Sequence, residues 1–139
     1  TKSMRNSLHA LLLGLLLLGA TGTMQSCTKF DKIGLDNATN LATSLTELMG
    51  KATGKYTAHT DAIQQVSTAL SNAVKHAESR KRNLEIAEAW KTLQNELVAP
   101  FLARWKEKGS LDKDFVKEAT TQVAKSLEAI KKAELARKK

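Results

Sequence analysis

Apolar residues fall into two kinds of run along the chain. From Leu8 to Ala20, "LHALLLGLLLLGA", they are nearly continuous and would surround a helix on every side. Beyond residue 36 they recur at steps of three and four, which puts them on one face of successive helices. Ala38, Leu41, Leu45, Leu48 and Ala52, with Met49 beside them, predict a first helix over Asn37–Thr53, stopped by Gly54. Ile63, Val66, Leu70, Ala73 and Ala77 predict a second over Ala58–Arg80. Ile86, Trp90, Leu93, Leu97, Phe101 and Trp105 form the strongest stripe. It predicts a third helix from Leu84, capped by Asn83, to Lys108, closed by Gly109. Pro100 lacks the N–H that would bond to Glu96, so a kink or short break is expected between Asn95 and Pro100. Asp112 reads as the N-cap of a fourth helix, with Leu111 and Val116 spaced as a hydrophobic staple. Val116, Ala119, Val123, Leu127 and Ile130 are its stripe.

Each stripe can be buried only against another. The expected fold is therefore all-α, an antiparallel up-down bundle of three to four helices over residues 36–139. Composition agrees: aromatics are 4% of residues, Pro occurs once, and strand-like alternation is weak. Residues 28–35, "TKFDKIGL", have no period and read as a tether, which at full extension reaches at most ~28 Å.

The first residues have a different organisation. Arg5 lies in a short basic segment, the apolar run follows, and Thr21 to Ser26 are small or polar. This is the three-part layout of a secretory signal peptide, with Met4 as its natural start. The clear apolar run is shorter than the ~20 residues that span a bilayer comfortably. The chain's single cysteine ends this segment, and "MQSC" at 24–27 resembles the lipobox of bacterial lipoproteins. Met24 stands where Leu is usual, and Gln25 is bulkier than usual. The resemblance implies lipidation of Cys27, cleavage of residues 1–26 before it, and acylation of the new amino terminus. Residues 27–35 would then be the lipidated cysteine and its tether. Two other routes fit the same residues. One is ordinary cleavage near Ala20–Thr23 that leaves a free Cys27, and the other is a retained N-terminal anchor over residues 8–24. In enteric-type bacteria Asp after the cysteine would resemble an inner-membrane retention signal. Thr28 stands there, so the resemblance implies the periplasmic face of the outer membrane, with the inner membrane as the alternative. Farther along, "FLARWKEKGSLDKDFVKEA", Phe101 to Ala119, is similar to small helical lipoproteins of Gram-negative bacteria. That likeness implies a fold rather than an activity.

Charge narrows the partners. Residues 1–26 hold Lys2 and Arg5 and no acid, leaving 20 basic against 14 acidic residues in the remainder. Lys75, His76, Arg80, Lys81 and Arg82 crowd the end of the second helix, where cations are favourable even without a partner. Lys75, Arg80, Lys81 and Arg82 are candidate contacts for a polyanion. A leader sequence takes the chain away from nucleic acid, so anionic lipid, cell-wall polymer or an envelope protein are the expected partners. Trp90, Phe101 and Trp105 align with aliphatic positions and read as core, or as an apolar groove beside the Pro100 kink. His59 and His76 lack the spacing of a metal site and read as surface residues. Glu85, Glu88 and Glu96 read as a solvated face. No G-x-S-x-G occurs, "GKATGK" lacks P-loop spacing, and no second cysteine is present. Neither an enzyme, a metal nor a cofactor is expected. The sequence reads as a membrane-anchored, non-enzymatic binding, adaptor or envelope-structural module. The alternative is a small-molecule or lipid carrier using the groove near Pro100.

Overall fold

The computed structural model describes residues 29–138. The fold is all-α, and no strand occurs among the described residues. Helix α1 spans Lys32–Gly50, α2 spans Thr60–Ser79, α3 spans Leu84–Thr92, α4 spans Ala99–Lys108 and α5 spans Lys113–Leu135. A π-helical turn, Leu93–Val98, joins α3 to α4 without a break, so the two form one rod.

Helix α1 begins five residues before the expected Asn37. Asp31 takes the N-cap position in extended backbone, and its carbonyl accepts from the Leu35 N–H at 3.0 Å. The expected tether over 28–35 is therefore corrected: from Lys32 onward it is helix. The physical reason lies in the core-facing stripe, which continues backward from Ala38 through Gly34 to Asp31, all three buried. The other end of α1 comes at Gly50 rather than near Gly54, and the chain then tightens into a 3₁₀ turn, Lys51–Thr53. Helix α2 follows a second such turn, Tyr56–Ala58.

Near Pro100 the expected kink takes a specific form. The Ala99 N–H donates to the Gln94 carbonyl, five residues back, as in a π-bulge. The wider turn takes up the missing proline donor while the helix stays continuous. Gly109 ends α4 with φ 82°, the left-handed region in which glycine has no steric penalty. Asp112 caps α5 as its sequence suggests, its Oδ2 accepting from the backbone N–H of Asp114 at 3.0 Å and of Phe115 at 3.2 Å.

The core is one cluster contributed by every helix. Leu45, Met49, Leu70, Trp90, Leu93, Leu97, Phe101, Trp105 and Leu127 are its largest fully buried apolar members. Helix α1 packs most extensively on α5 and next on α2. The end of α1 meets the start of α5 through the Leu111 N–H, which donates to the Ala52 carbonyl at 2.8 Å. Gly34, at the start of α1, lies against Glu134 near the end of α5, so these two helices run in opposite directions. No helix among the described residues is long and apolar enough to cross a membrane.

Candidate functional site: a buried charge cluster at one end of the helices

One end of the structure carries charge inside it. Asp31 and Glu134 are buried, with Asn83 beside them, and Arg137 is nearly so. Each occupies a position that helical periodicity directs inward. Asp31 lies in phase with the stripe of α1, Arg80 follows Ala77 by three, and Glu134 follows Ile130 by four. The polar residues thus extend three apolar stripes at the same end.

Asp31 is the hub. Its Oδ2 is 2.7 Å from Nε2 of His76 and 2.9 Å from Nη1 of Arg80. Arg80 also donates through Nη2 to the Lys29 carbonyl at 3.0 Å, so one guanidinium holds both the backbone and the side chain of the entering segment. Lys138 lies over the Phe30 ring at 5.6 Å and adds a cation–π contact from the other chain end. The turn after α2 passes through Arg82 at φ 56°, which brings the chain sharply into α3. Asn83 takes the N-cap position of α3, as the sequence suggests, but its side chain makes no cap hydrogen bond. Instead its Nδ2 donates to the Ala77 carbonyl at 2.9 Å and its Oδ1 accepts from Nη1 of Arg137.

Glu134 completes the cluster from α5. Its Oε1 is 3.7 Å from Nη1 of Arg137, an ion pair without a hydrogen bond. Burial holds its carboxyl above the usual carboxylate range, against the opposing pull of Arg137, Arg80 and His76. The same burial draws the Arg137 guanidinium below its ordinary value. Gly34 makes room for the acids: a Cβ there would collide with Oε2 of Glu134 and come within 2.7 Å of Oδ2 of Asp31. The two carboxyl groups therefore converge over a backbone that has no side chain. Among the described residues, no group of three or more His, Cys, Asp or Glu could hold a metal ion.

The basic cluster read from sequence divides in two. Arg80 turns inward to Asp31, while Lys75, Lys81 and Arg82 stay exposed. His76, expected at the surface, is half-buried against Asp31, a correction that follows from the inward position of that acid. His59 lies beside the Trp105 ring, centroids 5.7 Å apart. Trp90, Phe101 and Trp105 are closed core residues, exposed by 0%, 1% and 0%. The Trp105 indole donates to the Gly54 carbonyl at 2.9 Å, and its ring meets Tyr56 edge-on. No face of these three rings is open to a ligand, so they are core, the first of the two readings, and they do not line a groove beside Pro100. Glu88 and Glu96 are exposed as expected, whereas Glu85 is half-buried. Cys27 lies outside the described residues. Asp31, Gly34 and Glu134 are not apparent from the apolar pattern alone; their signal is polar or small residues in phase with the apolar stripes.

No protein family, curated protein or solved structure matches the chain.

Two predictions test this arrangement. Gly34→Ala should improve helix propensity by about 1 kcal/mol, yet the crowding should win and destabilise the fold by roughly 1–3 kcal/mol. Denaturant unfolding reads the difference, and adding Glu134→Ala should restore part of the loss. The second concerns pH. A carboxyl whose pKa is raised on folding leaves the native state holding more protons than the unfolded chain. Its stabilising contribution is full below the ordinary value of 4.5 and falls as pH rises through the folded value. Glu134→Gln, a neutral isostere, should gain stability relative to the parent across that window. Parallel stability–pH profiles for the two proteins would contradict the raised carboxyl.

Proposed function

We propose that this protein is a lipid-anchored helical module on the periplasmic face of the outer membrane. It acts without catalysis, as an adaptor or structural element of the envelope. The leader-like first residues and the lipobox-like "MQSC" support the anchor. One observation carries the reading further: Lys29, only two residues after Cys27, is already held by Arg80. Two residues reach about 7 Å at full extension. Lipid on Cys27 would therefore hold the folded unit against the bilayer, with the charge cluster at the membrane-proximal end. The anchor is a short mount that fixes which end faces outward, as an adaptor working at a set height requires. One acyl chain holds a protein only marginally, whereas two or three at one site make attachment effectively permanent.

Intact mass of the protein from bacterial membranes, with palmitate labelling, tests the anchor. The expected product begins at Cys27 and carries the mass of the added acyl groups, and Cys27→Ala should abolish both cleavage and labelling. A product cleaved near Ala20–Thr23 with a free thiol would contradict the proposal.

A further inference from the structure

Three large apolar side chains are exposed among the described residues: Ile33 by 58%, Leu84 by 72% and Leu135 by 45%. Isolated exposed leucines are ordinary on protein surfaces. These three, by contrast, lie at the same end of the structure. Ile33 precedes Gly34, Leu84 follows Asn83 and Leu135 follows Glu134, so each is next in sequence to a residue of the charge cluster. They crown the end to which Lys29 is fastened. The turns at the opposite end, residues 51–59 and 109–112, expose no large apolar side chain.

The exposed charge at this end is mostly positive. Lys29, Lys81, Lys132 and Lys138 are exposed there. The acids nearby are already engaged. Asp31 and Glu134 lie inside, Asp36 pairs with Lys32 at 2.8 Å, Glu78 pairs with Lys91 at 3.2 Å, and Glu85 is half-buried with a partner of its own. Exposed apolar side chains and exposed lysines at the same end of a molecule are the composition of surfaces that lie in a membrane interface.

We infer that this end face seats directly on an anionic lipid bilayer. Ile33, Leu84 and Leu135 enter the headgroup region, and the surrounding lysines meet lipid phosphates. The inference rests on the anchor proposed above, because lipid on Cys27 brings this end, and not the other, to the membrane. Three side chains supply only a fraction of the about 800 Å² per partner of a standard protein interface. With the anchor providing attachment, the face needs only to orient the molecule. Seated this way, the helices stand end-on, and the turns at 51–59 and 109–112 point away from the bilayer as the surface a partner would meet.

Photo-crosslinking in cells tests this. A photoreactive residue replaces exposed Leu84, or exposed Ser110 at the far end, in the full chain made in a Gram-negative host. After irradiation, intact mass should show phospholipid adducts at Leu84 and little or none at Ser110. Combining Lys81→Glu with Lys132→Glu should lower the anionic-lipid adduct about fivefold per cation. Protein adducts at Leu84, equal lipid yield at both positions, or a yield indifferent to charge reversal would overturn the inference. The same spectrum reads Cys27. A lipidated Cys27 without lipid at Leu84 sinks the docking face and leaves the anchor standing; an unmodified Cys27 with lipid at Leu84 does the reverse.

Discussion

Asp31 brings a carboxylate into the protein interior, and its neighbours are arranged around that fact. A buried charge left alone costs several kcal/mol in lost solvation, so it persists only where opposite charge and hydrogen bonds compensate it. Here the compensation comes from distant segments. His76 and Arg80 reach Asp31 from the end of α2, and at the same end Arg137 pairs with the second buried acid, Glu134, on α5. Asn83 links the last two groups of contacts through Arg137 and the Ala77 carbonyl. An apolar plug of the same volume would fill such a site at least as stably. What charges add is selectivity: a helix shifted by one turn would leave an acid or a guanidinium buried without its counterion. The cluster thus fixes the register of α1 against α2 and α5.

The two ends of the structure are closed by different chemistry. At the far end, backbone hydrogen bonds join the loops, from Leu111 to Ala52 and from Tyr56 to Gly109, with Trp105 bonded to Gly54 between them. At the near end the charges do the joining, and they include the segment that leads back to Cys27. Gly34 is essential to that closure, since any side chain there would occupy the space of the acids. The proposed anchor and the proposed bilayer seat both depend on this end being rigid. A loose arm after Cys27 would let the helices tumble, whereas an arm held at Lys29 by Arg80 would transmit the orientation of the proposed anchor to the whole molecule.

Much of this fold was legible in the sequence. The four apolar stripes marked the helical rods, Asp112 announced the start of α5, and Gly109 marked the end of α4. Trp90, Phe101 and Trp105 fell in line with aliphatic neighbours and are indeed core. The charge cluster was not legible, because the rule that finds a core looks for apolar residues. Asp31, Arg80 and Glu134 sit in phase with three stripes, but their polarity reads locally as the stripe's end. Only partners far apart in the chain, such as His76 and Asp31, separated by 45 residues, reveal why charge is tolerated there. Pro100 indicated where the third rod must adjust but not how. A π turn and a kink both accommodate a missing donor, and the packing of Leu93, Leu97 and Val98 in the core accompanies the former.

The segment from Lys29 to Leu35 belongs to the folded unit because the charges hold it. Amide hydrogen exchange measures this directly. The Leu35 N–H, bonded to the Asp31 carbonyl, lies in the first turn of α1, where a helix end without tertiary support frays. Leu35 should be protected together with the middle of α1, and Arg80→Ala should expose Leu35 to exchange while the Leu45 amide stays protected. Rapid exchange at Leu35 in the unaltered protein, or protection that Arg80→Ala leaves unchanged, would contradict it.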